Sequence, residues 1–371
     1  MKQRLLHTPE GVRDIYNEEC ERKLTLQRHL QETLRSYGYR DIETPTFEYF
    51  DVFGREVGTV PSTDLYKFFD REGNTLVLRP DITPSIARAA SKYYPEEALP
   101  VRLCYMGNTF INNSSYQGRL KETTQIGAEF IGDSRVSADG EIVALAIDTL
   151  LSAGLTEFQI SLGHADFFQS LCEEAGLDEE TESKLRNLIS NKNHFGVEEL
   201  LAGQKLSASL KELFIRLPQL FGGEAVLTEA SGMTDNPKAL AAVSRLQKIS
   251  RILKLYGFEK YVSFDLGMLS RYMYYTGIIF RGYTFGTGEA IIKGGRYDHL
   301  LGHFGKEAPS VGFVVMSDQL LNALTRQKIT VETDPSPVVL SYTPDEQADA
   351  IQKAQSLRKA GKKVILEEQD V

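Results

Sequence analysis

The chain has 371 residues, 42% hydrophobic and 25% charged, which suits one large globular domain with small appendages. Its formal net charge is −9, and its longest basic cluster, in residues 357–364, reads as a solvated helix end; both disfavour a protein that grips nucleic acid along its phosphates. The sequence has no long uncharged apolar run and no signal-like start, and Cys20, Cys104 and Cys172 are too few and too scattered for a disulfide framework or zinc site, so a cytoplasmic protein with buried thiols and no membrane contact is expected.

Residues 18–37 have helical periodicity, with Leu24, Leu26, Leu30 and Leu34 prominent and Gly38 as C-cap. Residues 39–46 read as a strand stopped by Pro45. Residues 65–70 and 75–78 flank Arg71-Glu72-Gly73-Asn74, a hairpin turn. A helix over 83–93 opens on Pro84. Strands follow at 101–110 and 122–131, joined by a polar loop, then a helix at 139–153 and a strand at 158–162.

From 165 to about 255 the pattern is helical only, punctuated by Gly176, Gly196, Gly203 and Gly222-Gly223, as in an insertion. Strands return at 261–265, 275–283 and 289–293, and residues 310–315 lead into a helix ending near Thr325. This order predicts an α+β fold: an antiparallel sheet flanked by helices over residues 1–327, with the insertion at about 165–255. A linker with two prolines spans 328–337, and residues 338–371 form a partial βαβ segment.

Three groups of motifs stand out. The first is Thr8-Pro9-Glu10-Gly11-Val12-Arg13-Asp14 with Glu43-Thr44-Pro45; the second is Leu78-Arg79-Pro80-Asp81-Ile82-Thr83. The third joins Tyr274-Tyr275-Thr276-Gly277 to Gly294-Gly295-Arg296-Tyr297-Asp298 and Val311-Gly312-Phe313. In this order and spacing they resemble the histidyl type of class II aminoacyl-tRNA synthetase over residues 8–325. The resemblance implies the class II antiparallel sheet, dimerisation near Thr44-Pro45, and a histidine pocket.

Synthetase chemistry joins a carboxylate to the α-phosphate of ATP, so negative charge builds on phosphoryl oxygens. Arginines stabilise it, and losing one such donor costs about 100-fold or more. At the family's three arginine positions this sequence has Ile111, Ser270 and Gln319. Arg271 is one residue from Ser270, which in a strand places it on the opposite face. Near Ile111 no cation occurs until Arg119, and Asn113 replaces a family carboxylate.

The amino-acid pocket positions remain: Asp81, Thr83, Gln125, Glu129, Tyr274 and Tyr275. In the resembling family they hold the ammonium and imidazole of histidine. Asp81 and Glu129 can accept from a cation or a ring N–H, and the tyrosines supply an apolar wall and a hydroxyl. The bland alternative is a remnant whose carboxylates pair with Arg79 or Arg119. Arg271 is a candidate partner for the ligand carboxylate.

A synthetase-like core with the pocket kept and the arginines lost resembles the regulatory subunits of short-form ATP phosphoribosyltransferase, as does Asp265-Leu266-Gly267-Met268. That resemblance implies a non-catalytic chain that works with a separate catalytic phosphoribosyltransferase subunit. It also implies a homodimer within a hetero-octamer and histidine as effector. A true histidyl-tRNA synthetase and a stand-alone histidine sensor are the alternatives.

No cofactor or metal is expected. Gly282-Tyr283-Thr284-Phe285-Gly286-Thr287-Gly288 lacks the Lys-Ser/Thr of a P-loop and reads as a hairpin turn, and His299 and His303 lack a third ligand. Gly294-Gly295 suggests close backbone packing, and Arg296 suggests a pair with a carboxylate of the pocket or of a partner.

Overall fold

The structure, a computed structural model, describes residues 6–54, 60–113, 120–269 and 274–369. It divides into two compact units, Met1–Thr330 and Val331–Val371.

In the first unit, α1 (Asn17–Ser36) buries Leu26, Leu30 and Leu34 completely, a stripe at four-residue spacing. Leu24 is off that stripe and exposed, against the sequence expectation. Strands β1 (Arg40–Asp41) and β2 (Phe47–Tyr49) replace the single strand expected over 39–46. Pro45 has no N–H for a ladder, and the carbonyls of Thr44 and Pro45 instead accept from Arg79 Nη1 at 2.8 and 3.3 Å. Strands β3 (Lys67–Phe69) and β4 (Thr75–Leu78) complete a small antiparallel sheet ordered β2-β4-β3. Helix α2 (Thr83–Tyr93) follows, with proline in its first turn.

The main sheet has nine strands in the order β1-β5-β6-β12-β11-β10-β7-β9-β8. Its strands are β5 (Val101–Phe110), β6 (Glu122–Ile131), β7 (Phe158–His164), β8 (Phe221–Gly222), β9 (Val262–Asp265), β10 (Ile278–Thr284), β11 (Ile292–Arg296) and β12 (Ser310–Met316). The pairs from β5 through β7 are antiparallel, but β1–β5 and β7–β9 are parallel, so the sheet is mixed rather than wholly antiparallel. Residues 124–131 of β6 are all buried, as expected of a strand covered on both faces.

Helix α3 (Val136–Ser152) packs on α1 and the sheet. The insertion is α4 (Ala165–Ala175), α5 (Glu179–Ser190), α6 (His194–Ala202), α7 (Ala208–Arg216), α8 (Ala225–Ser231) and α9 (Pro237–Leu255). It is not purely helical, since β8 pairs with β9 at the sheet edge. Helix α9 starts sharply: the side chain of Asn236 accepts from the Lys238 and Ala239 amides, and Pro237 occupies the first turn. Helix α10 (Ser317–Arg326) follows β12.

Two strands differ in register from the sequence expectation. β10 begins at Ile278, not Tyr275, and β11 spans Ile292–Arg296 rather than 289–293. Gly294 and Gly295 are therefore inside β11, where a Cβ at 295 would sit 2.5 Å from the Tyr275 ring and one at 294 would sit 2.6 Å from the Gly312 carbonyl. Close approach, not turning, is what these glycines supply.

In the second unit, β13 (Val338–Tyr342) and β14 (Val364–Glu368) pair in parallel and are joined by α11 (Gln347–Lys359).

Candidate functional site

The six pocket residues named from sequence line a single cavity in the first unit, together with Ile111, Lys293, Gly294, Tyr297, Gly312 and neighbouring residues. Gln125 and Glu129 are four apart on β6 and so share one face of the strand. Asp81 and Thr83 come from the entry to α2. Tyr274 and Tyr275 precede β10, and both rings reach the cavity, which two consecutive strand residues could not do. Their ring centroids are 4.6 Å apart at 41°, and Tyr274 meets Tyr297 edge-on at 6.0 Å.

Glu129 is 1% exposed and sits opposite Gly312 across the β6–β12 ladder. Its Oε1 accepts from Thr83 Oγ1 at 2.8 Å and Tyr105 at 3.4 Å, and its Oε2 accepts from the Tyr297 hydroxyl. Burial pushes its carboxyl up to about 8, against the three hydroxyls, which pull it down. Burial likewise raises Asp81, opposed by the Ile82 and Thr83 amides and the charge of Lys293. Burial, then the Glu129 charge, holds Tyr105 and Tyr297 well above the usual phenol range, so both remain donors. Gln125 is 7% exposed, and its Oε1 is buried with no hydrogen-bond partner among the described residues.

The cavity is thus acceptor-rich: two carboxyl groups whose ionisation burial suppresses, one unengaged amide oxygen, and aromatic walls. A cation or a ring N–H entering it would stabilise the ionised carboxylates.

Arg79 does not pair with these carboxyls; it donates to the backbone carbonyls of Thr44, Pro45 and Asn108. Ile111 lines the cavity, whereas half-buried Gln319, on α10, is not among its lining residues. Ser270, Arg271 and Arg119 lie outside the described residues. Arg296 contacts no pocket carboxyl: its pair is buried Asp139, 2.6 Å from Nη2, with Asp298 at 3.1 Å. His299 is exposed, 3.7 Å from Glu307, and no cluster of three metal-ligating side chains occurs among the described residues. Cys104 and Cys172 are buried, while Cys20 is half-buried.

Sequence reasoning missed Tyr105, Tyr297 and Lys293 as pocket groups. Tyr297 was visible inside Gly-Gly-Arg-Tyr-Asp, but nothing in that motif says that its hydroxyl reaches across β12 to β6.

The histidyl-tRNA synthetase family model matches residues 11–320. A histidyl-tRNA synthetase from a Nostoc species shares the fold at a TM-score of 0.83 and 20% identity, covering 99% of this chain and 86% of its own. Fold and cavity together define a class II, histidyl-tRNA-synthetase-like protein. A crystal structure from Bacillus halodurans, described as an ATP phosphoribosyltransferase regulatory subunit/histidyl-tRNA synthetase, matches at TM-score 0.89 and 35% identity over 98% of this chain and 93% of that one. The ATP phosphoribosyltransferase regulatory subunit of Acetivibrio thermocellus is 42% identical over 96% of this chain and 85% of its own length. That of Ruminiclostridium cellulolyticum is 41% identical over 97% and 86%. The chain belongs to the family of ATP phosphoribosyltransferase regulatory subunits. No helix among the described residues is long and apolar enough to cross a membrane.

Proposed function

We propose that this chain is a non-catalytic, cytoplasmic subunit that activates a separate catalytic ATP phosphoribosyltransferase chain and relays histidine feedback to it. The observation that carries the reading is the convergence of Asp81, Thr83, Gln125, Glu129, Tyr274 and Tyr275 on one cavity containing an unengaged Gln125 oxygen. A histidine ammonium or imidazole suits the two buried carboxyls, and the tyrosines suit its flat ring. The ligand carboxylate would meet Lys293 or Arg271.

Synthetase chemistry is disfavoured by residue identity. Ile111 lines the cavity at a position where the synthetase family has a cation, and Ser270 and Gln319 stand at the other two arginine positions. Nothing apolar can neutralise charge developing on an α-phosphate.

Self-association is supported by the small sheet ordered β2-β4-β3. Phe47, Tyr49, Phe68 and Phe69 there are 51, 57, 37 and 72% exposed, an aromatic surface beside the Thr44-Pro45 segment that suits a twofold contact. The proposed assembly is a homodimer inside a hetero-octamer with the catalytic chain. The deciding experiment is reconstitution: the catalytic subunit should co-elute with this chain, gain activity from it, and lose that activity on adding histidine. Failure to co-elute would overturn the reading.

A further inference from the structure

A second cleft lies between α9 and the ends of β7 and β11, with a volume of about 370 Å³, and shares no lining residue with the Glu129 cavity. One wall is a stripe of α9. Lys238, Arg245 and Lys248 are spaced by seven and three residues, hence on one helix face. Ala241 and Ala242 lie between them, and their short side chains leave the cleft open. The facing wall holds His164 at the end of β7, Asp166 at the start of α4, and the Arg296 and Asp298 end of β11.

Asp139, fully buried behind the wall, is shared by Arg245 and Arg296, each at 2.6 Å, and Arg296 also meets Asp298 at 3.1 Å. Lys238 pairs with Glu173 at 2.7 Å. Two opposite charges remain outside every hydrogen bond and ion pair found among the described residues: half-buried Asp166 and exposed Lys248. Beside them His164 is 4% exposed, and its Nδ1 is buried without a hydrogen-bond partner. Burial and the nearby Arg245 and Arg296 push this imidazole down to about 3, so it stays neutral and offers a lone pair or an N–H to a neighbour.

A buried imidazole nitrogen without a partner is costly unless something occupies the space beside it. We propose that this cleft is a second ligand site that takes a small zwitterion of the free amino-acid class. Its ammonium is held by Asp166, its carboxylate by Lys248 and the α9 face, and a polar group by His164. A simple anion would be repelled by half-buried Asp166, and a simple cation by Lys248 and the α9 cations Lys238 and Arg245 that act on Asp166. The inference does not depend on what the Glu129 cavity binds. The two cavities are nonetheless adjacent: Tyr275 and Tyr297 line the first, Thr276 and Asp298 the second, and the Asp298 amide donates to Thr276 Oγ1 at 2.9 Å.

The test uses the full chain. Common free amino acids, inorganic phosphate, acetate and methylamine are each titrated to about 10 mM by calorimetry. The titrations are repeated on Asp166→Asn, Lys248→Glu, Ala241→Phe and Glu129→Gln. At least one amino acid should bind, about tenfold or more weaker in each of the first three variants and unchanged in Glu129→Gln. Ala241 and Lys248 are exposed, so their variants keep the fold even if Asp166→Asn does not. The proposal is overturned if no amino acid binds, if all binding is lost with Glu129→Gln alone, or if phosphate or acetate binds as tightly and Asp166→Asn leaves that binding intact.

Discussion

Gly312 is directly opposite Glu129 across β12 and β6, and a Cβ at residue 312 would fall inside the Glu129 carboxyl group. The absent side chain is what lets a nearly fully buried carboxyl stand between two strands and reach Tyr297. Gly312→Ala should therefore displace Glu129 or spread the β6–β12 pair, destabilising the fold by about 1–3 kcal/mol. Ligand binding in the cavity should fall with it. Urea unfolding reads the first effect and calorimetry the second; a variant with unchanged stability would show that the strands yield freely.

The carboxyl of Glu129, raised from 4.5 to about 8, ties stability to pH. Between those values the folded chain holds a proton that the unfolded chain has released. Stability attributable to this group is thus fully present below about pH 4.5, falls as pH rises, and levels off above about 8, with an upper bound of about 5 kcal/mol. Asp81, also raised by burial, adds a contribution of the same sign. Glu129→Gln should flatten the slope. Urea midpoints of both proteins across the window check this; equal slopes would show that Glu129 ionises normally.

Asp139 is the counter-charge for two arginines, one of them, Arg296, only 3% exposed. Removing one partner of such a buried group leaves uncompensated charge, so Asp139→Ala should lose about 3–5 kcal/mol. The same change at exposed Glu180, paired with Lys184 along one helix face, should leave stability nearly unchanged. Comparable losses at both sites would contradict the burial argument.

Local pattern made most of the first unit legible. The α1 stripe, the β5 and β6 strands and the proline-opened α2 follow from spacing and end signals alone. The six cavity residues were legible only through the family resemblance, because they converge from three separate stretches of chain. What local pattern could not supply was cross-strand geometry. Gly294 and Gly295 read as close-packing glycines just past a strand at 289–293; the close packing is there, but inside β11, where their missing side chains admit Tyr275 and the neighbouring backbone. Tyr275 read as a strand residue, yet its non-strand backbone is what lets it share the cavity with Tyr274. The parallel edges β1–β5 and β7–β9 depend on long-range pairing that periodicity does not encode.

Activation of histidine by ATP should be absent. Ile111 faces the cavity with a side chain that cannot bind a phosphoryl oxygen, and one missing donor of this kind already costs about 100-fold or more. Histidine-dependent exchange of pyrophosphate into ATP, run at high protein concentration, should stay at background. A clear rate above background would overturn the non-catalytic assignment.

Histidine should bind the Glu129 cavity with modest strength. The residues proposed to hold its ammonium and imidazole line one cavity, and the unengaged Gln125 oxygen marks an acceptor that the protein itself does not use. On the proposed assignment of Ile111, Ser270 and Gln319 to the synthetase arginine positions, the carboxylate has no arginine partner from them, so a Kd of about 10–100 μM is expected, or about 5.5–7 kcal/mol. Glu129→Gln removes an ionised acceptor and should cost about 1.5–3 kcal/mol; Tyr275→Phe removes one hydroxyl and should cost less. Binding a cationic group requires Glu129 to release its proton, so affinity should rise with pH up to about 8 and protons should be released on binding. Calorimetry in two buffers of different ionisation enthalpy reads that release directly. Regulation needs only that histidine favour one state of the assembly over another, so a difference in affinity between the isolated chain and the complex is the expected signature. If neither binds histidine at about millimolar concentration, the cavity is a remnant and feedback enters through the catalytic chain.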